Sequence, residues 1–183
     1  MAGIDEAGRG PLAGPVVASA VILPENISIA DIDDSKRLSE KKRERLFNII
    51  KRKAISIGIG IVSEKVIDKI NILQATRKAM LTAVSEMNKI PDYLLIDGIH
   101  TIDSEIMQSA IKKGDRLSTS IAAASIIAKV TRDRIMYKYN KLFPQYMFAR
   151  HKGYGTKEHL NLIRLHGPCN IHRKSFKGVK EYV

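Results

Sequence analysis

Cysteine is almost absent: Cys169 is the only one in 183 residues. An internal disulfide is therefore excluded, which fits a reducing compartment, and a cytoplasmic location is expected. Cys169 sits between Pro168 and Asn170 with nothing in the sequence to activate it, so it is not read as a nucleophile. Tryptophan is missing and the aromatic share is 5%, yet 44% of residues are apolar, an ordinary globular composition. No uninterrupted apolar run approaches the roughly 20 residues that cross a bilayer. The N-terminus lacks the basic stretch and apolar core of a signal peptide, so neither a membrane association nor an export leader is expected. The length suits one domain and is too short for two comfortable ones.

Acidic residues are also scarce, 19 against 31 Lys and Arg, for a net charge of +12. The excess is concentrated. From Lys36 to Lys53 nine basic residues face two acidic ones, and from Arg150 to Val183 eight face two, leaving the remainder near neutral. Two basic segments on a near-neutral body suit a polyanionic partner. A solvated helix face plus a basic tail gives the same pattern, and charge alone does not separate nucleic acid from an anionic membrane surface.

The periodicities predict an α/β domain with a mixed sheet. Ala2–Glu6 and the β-branched run Val16–Leu23 read as neighbouring strands joined across the glycine-rich turn Gly8-Arg9-Gly10-Pro11. Ser39 caps a helix that runs to Lys53. Ile55, Ile57, Ile59 and Ile61 alternate with Ser56, Gly58 and Gly60, a strand whose small face invites close packing. Ser63 to about Asn88 is mostly helical with a break near Asn71. Tyr93–Ile96 is a short strand delivering Asp97, and another runs from about Ile106 to Lys112. Ser118–Phe143 is a long helix whose small, apolar first half is suited to burial against the sheet, and Pro144 stops it. Thr156–His166 is the last helix, with Gly167 at its C-cap.

Acidic side chains stand where strands end: Asp5 with Glu6, Asp97, and Asp115. Strand ends converge on the mouth of a crevice in α/β folds. Like charges held together raise one another's pKa, and a hard divalent cation such as Mg²⁺ or Mn²⁺ resolves the conflict. Taken singly, Asp97-Gly98 and Gly114-Asp115 are equally well read as turn formers. Asp5 and Glu6 pose a further problem, since neighbours on a strand point to opposite faces; a bend at Ala7-Gly8 would let both reach one site. Asp133 is a rival fourth acid, but within a helix it is expected to pair with Lys129 one turn back. Lys36, Lys152 and Arg173 are candidate phosphate contacts.

The run Gly3-Ile4-Asp5-Glu6-Ala7-Gly8-Arg9-Gly10-Pro11-Leu12-Ala13-Gly14-Pro15-Val16 resembles the opening signature of ribonuclease HII. Asp34-Ser35-Lys36, Leu95-Ile96-Asp97-Gly98, and Gly114-Asp115 leading into Ala123–Asp133 match that family in order, as do His151-Lys152-Gly153-Tyr154-Gly155-Thr156 and Gly167–Phe176. The blocks span nearly the whole chain. Met147, Phe148, Ala149 and Asn170 depart from the family's pattern and leave only local substrate contacts in doubt.

The resemblance implies an RNase H-like fold: a mixed five-stranded sheet flanked by helices in a single catalytic domain spanning residues 1–183. About 144–183 would form a helical, basic, substrate-binding extension. It implies Asp5, Glu6, Asp97 and Asp115 as catalytic, metal-binding acids holding Mg²⁺ or Mn²⁺. The implied activity is hydrolysis of the RNA strand of RNA–DNA hybrids, and incision 5′ to ribonucleotides embedded in duplex DNA, giving 3′-hydroxyl and 5′-phosphate ends. Gly8, Arg9 and Gly10 would read a 2′-hydroxyl through their backbone, and Tyr154 would pack on the adjoining sugar. No obligate protein partner is implied. The related ribonuclease HIII is disfavoured by the Gly-Arg-Gly turn and by Asp5 lying so near the start. A metal-free ribonuclease would need two histidines as acid and base; His100, His151, His159, His166 and His172 show no spacing that demands it and are expected on surface loops. A non-catalytic basic duplex-binding module is opposed only by the acid cluster.

Overall fold

Among the described residues, five strands form one sheet: β1 (Ala2–Ala7), β2 (Val16–Ile22), β3 (Ser56–Val62), β4 (Leu94–Asp97) and β5 (Gln108–Ile111). These come from a computed structural model that describes residues 1–25, 27, 32 and 38–183. The Asp34-Ser35-Lys36 block, and with it Lys36, lies outside the described residues. The strand order is β3-β2-β1-β4-β5. β1, β2 and β3 pair antiparallel, whereas β1, β4 and β5 run parallel. The parallel half brings the C-terminal ends of β1 and β4 side by side, which is what places their acids together.

The helices are α1 (Glu40–Lys53), α2 (Glu64–Ser85), α3 (Thr119–Leu142), α4 (Phe148–His151) and α5 (Lys157–His166). Ser39, Ser118 and Thr156 cap α1, α3 and α5, each accepting a backbone N–H from the first turn. The expected break in α2 falls at Asn71 (φ 67°, ψ 167°). Its Oδ1 accepts the amides of Leu73 and Gln74 at 3.0 and 3.1 Å, recapping the helix after the kink.

Helices cover both sheet faces. On one, α2 lies directly on the small residues of β3: a Cβ at Gly58 or Gly60 would sit 1.8 Å from the Ala83 carbonyl oxygen or 1.9 Å from that of Ala79. On the other, Ile121–Ala128 of α3 are all buried, and a Cβ at Gly3 would meet the Ser120 carbonyl carbon at 2.2 Å. Ser19 Oγ donates to the Ala124 carbonyl at 2.7 Å across that interface. The segment from Pro144 onward builds a satellite core around Tyr146, Phe148 and Ile171. Backbone bonds tie it to the β1–β2 connection: Leu12 N to Gly153 O, Gly14 N to Ile171 O, and Arg173 N to Leu12 O, all 2.8 Å. Phe148, one of the departures from the family pattern, is fully buried there.

Candidate active site

A cleft of about 400 Å³ opens at the C-terminal ends of β1 and β4. Glu6 and Asp97 line it together with Gly8, Arg9, Gly10, Lys129 and Tyr154. Asp5 lies beneath, 6% exposed. Pairing of β1 with β2 runs unbroken through Ala7, and the chain turns only at Gly8 (φ 99°). The expected bend is therefore not what unites Asp5 and Glu6. They flank the end of one regular strand, Asp5 within hydrogen-bonding reach of Ser125 on α3, Glu6 lining a groove with Thr76 and Arg77 of α2.

Burial pushes the Asp5 carboxyl well above its usual range, and the neighbouring charges of Glu6 and Asp97 push it further. The Ser125 hydrogen bond and the Glu6 amide, which donates to Asp5 Oδ1 at 2.7 Å, only partly offset this. Asp97 Oδ1 accepts the Gly114 amide at 2.7 Å, which brings the 3₁₀ turn Gly114–Arg116, and so Asp115, beside Asp97. Asp115 itself is buried and faces a neighbouring recess with Arg116 and Ser118. Among the described residues no three carboxylate, imidazole or thiol side chains converge on one point closely enough to ligate an ion together. The donor chemistry nonetheless fits a hard cation: crowded carboxylates with a raised pKa are stabilised by one, and Mg²⁺ takes few protein ligands when waters and substrate phosphate complete its shell. Asp133 stays out of this group, accepting from Lys129 Nζ at 2.7 Å as expected.

Arg173 is not a phosphate contact. It is fully buried, and its guanidinium donates to three backbone carbonyls: Gly14 at 3.0 Å, Arg9 at 2.8 Å and Gly8 at 2.5 Å. Burial draws its pKa down to about 9, so it stays charged at neutral pH. Arg132 does the same from α3, taking the carbonyls of Pro15, Ala13 and Lys152, each at 3.0 Å. Two buried cations thus brace the Gly8–Pro15 connection from below. Because a trans peptide sets N–H opposite C=O, inward carbonyls at Gly8 and Arg9 turn the amides of Arg9 and Gly10 away from Arg173. That leaves hydrogen-bond donors on the side of the turn that lines the cleft. Lys152 is not in the cleft: its ammonium donates to the Ala149 carbonyl and to the Tyr137 hydroxyl (3.0 Å) and lies over the Tyr137 ring.

Lys129, Ser125 and Arg132 were not legible as site residues beyond the Lys129–Asp133 pair. Their spacing of four and three on α3 was the available signal, since it puts them on one face beneath the turn. The surface-loop expectation for the histidines fails for three of them: His151, His159 and His172 are buried, at 8%, 0% and 1% exposure. Sealed from the cleft, they do not supply an acid–base pair. Burial raises the Cys169 thiol above the ordinary range, which disfavours the nucleophilic thiolate.

A family model for ribonuclease HII matches residues 2–179. The chain belongs to the ribonuclease HII family. It is 59% identical over 183 residues to ribonuclease HII of Geobacter metallireducens, covering all of this chain and 86% of that protein. Ribonuclease H2 of Pyrococcus horikoshii superposes with a TM-score of 0.82 at 26% identity, covering 99% of this chain and 95% of that one. Ribonuclease HII of Archaeoglobus fulgidus, solved in a complex with PCNA, gives 0.78 at 26% identity, covering 96% and 94%. Membership makes this protein a ribonuclease H, a divalent-metal-dependent endonuclease acting on RNA–DNA hybrids, and the RNase H-like fold expected from the motifs is the fold observed.

Proposed function

We propose that this ribonuclease HII incises duplexes on the 5′ side of a single embedded ribonucleotide, as well as cutting hybrids, and leaves 3′-hydroxyl and 5′-phosphate ends. One observation carries the reading: strand-end carboxylates, the Gly8-Arg9-Gly10 turn and a half-exposed tyrosine share one cleft. Asp5, Glu6, Asp97 and Asp115 would hold Mg²⁺ or Mn²⁺, which when bound supplies a polarised phosphate and an acidified water for in-line displacement. The amides of Arg9 and Gly10 would donate to a 2′-hydroxyl oxygen, which deoxyribose lacks. Tyr154, 43% exposed and set against Gly10, would stack on the next sugar, where a deoxyribose leaves room for the ring. Residues of about 144–183 then act as a substrate-binding extension by carrying Tyr154 to the cleft. A cytoplasmic location and the absence of an obligate protein partner remain part of this proposal.

The test is cleavage of four duplexes: all-DNA, one ribonucleotide, four ribonucleotides and full hybrid. Cutting 5′ to the lone ribonucleotide is expected, and Tyr154→Ala should lose rate mainly on that substrate, by about 10-fold or more, because orientation is lost while the acids remain. Strong cutting of the full hybrid with none at the single ribonucleotide would refute the reading.

Affinity for hybrid should also fall steeply with salt, with a log–log slope of roughly 0.9 per phosphate neutralised, taking B-form DNA as the guide. Arg9, half-exposed beside the cleft, should contribute to that slope, so Arg9→Ala is expected to reduce it by about 1. A slope near zero would show that the basic segments do not face the substrate.

A further inference from the structure

The buried histidines form a chain whose direction is fixed at both ends. The Cys169 amide donates to His172 Nδ1 at 2.9 Å, so that nitrogen is an acceptor and the proton of neutral His172 sits on Nε2. His172 Nε2 lies 3.1 Å from His159 Nε2, which must therefore accept. The proton of His159 is then on Nδ1, which lies 2.9 Å from the Tyr154 carbonyl oxygen, a group that only accepts. Every donor meets an acceptor in this arrangement, and reversing one ring would set two N–H groups, or two lone pairs, face to face.

We propose that His159, locked in its Nδ1–H tautomer by His172, is a positioning residue that sets Tyr154 for substrate. This rests on the reading of Tyr154 as the ribose-stacking residue. The loop around Tyr154 is gripped from below at successive points. Gly153 N–H donates to His151 Nδ1 at 3.2 Å, while His151 Nε2 is fixed on the Tyr146 carbonyl at 2.8 Å. Arg132 holds the Lys152 carbonyl, and His159 holds that of Tyr154. The His151 and His159 rings stack at 4.3 Å and 18°. Burial keeps His159 and His172 neutral, both with a pKa drawn down to about 4, so the chain persists at working pH. An apolar pair of the same volume would fill this space without a buried polar network to satisfy. What the imidazoles add is a directed donor at the Tyr154 main chain, 0% exposed beneath a side chain that reaches the cleft.

The test is a double-mutant cycle of His159→Leu with Tyr154→Ala, read as the ratio of rates on single-ribonucleotide and full-hybrid duplexes. His159→Leu is expected to lower that ratio about as much as Tyr154→Ala does, and the double variant no further. His159→Asn, whose amide can still donate to the Tyr154 carbonyl, should restore most of it. Long-range ¹⁵N–¹H spectra of the wild-type protein at pH 7, independent of any variant's folding, should show His159 protonated on Nδ1 and His172 on Nε2. Additive losses in the double variant, or an Nε2–H His159, would overturn the proposal. An unchanged ratio in Tyr154→Ala would instead sink the reading of Tyr154 on which it rests.

Discussion

Replacing Arg173 with methionine should destabilise the protein by about 3–5 kcal/mol. Methionine fills much of the space but strands three carbonyls that Arg173 now satisfies, those of Gly8, Arg9 and Gly14. Hydrogen bonds to a charged donor are worth roughly 1.5–3 kcal/mol each, and water entering from the turn recovers part of the loss. For a chain of this size that corresponds to a fall in Tm of roughly 6–20 °C, at about 2–4 °C per kcal/mol. Arg173→Lys should recover little, because one ammonium cannot span three carbonyls that a planar guanidinium fork reaches together. Thermal unfolding measures this loss; at temperatures where the variant is folded, a Gly8–Gly10 turn no longer held by Arg173 should discriminate less between hybrid and all-DNA duplex. A surface phosphate contact would behave oppositely, leaving Tm unchanged and lowering the salt slope. That outcome would contradict the buried role.

Asp5→Asn should lower cleavage by about three orders of magnitude while making the metal-free protein more stable. The catalytic loss follows from removing a carboxylate that favours the cation, several kcal/mol of transition-state stabilisation at about 1.4 kcal/mol per decade. The stability gain follows from the crowding of Asp5 by burial, Glu6 and Asp97. A carboxyl whose folded pKa is raised contributes stability that is fully present below its unfolded pKa and lost as pH rises through its folded value. At neutral pH the crowded Asp5 carboxyl therefore contributes less stability than at low pH until a cation offsets the crowding, and asparagine removes the titrating group. Mg²⁺ or Mn²⁺ should accordingly raise the Tm of the wild-type protein, by about 2.7 kcal/mol of stabilisation at a hundredfold excess over Kd, and that of Asp5→Asn by less. Equal metal stabilisation of the two proteins would mean that Asp5 does not help to hold the ion.

The elements most visible in the sequence were those set by local rules. The cap at Ser39, the helix starts at Ser118 and Thr156 and the break at Asn71 depend on chemistry within a few residues, and they fall where the pattern puts them. The glycines of β3 announced a close neighbour, and α2 is that neighbour. What stayed hidden depends on partners far along the chain. An arginine in a basic tail reads as a solvated charge; only the fold shows Arg173 reaching carbonyls 159 to 165 positions away. His159 and His172 are 13 positions apart, with no helical or strand period to link them, and they meet because the C-terminal segment folds back onto the β1–β2 connection. Lys129 could be paired with Asp133 from its spacing, but its place in the cleft depends on how α3 packs beneath Gly8–Gly10.

The decisive measurement is cleavage by the full chain of an RNA–DNA hybrid, beside a DNA duplex of the same sequence, with Mg²⁺ or Mn²⁺ and again in excess EDTA. The expected result is cutting confined to the RNA strand of the hybrid and abolished by EDTA. Undiminished cutting in EDTA, or equal cutting of the DNA duplex, would contradict a metal-bearing acid cleft set beside a turn that reads the 2′-hydroxyl.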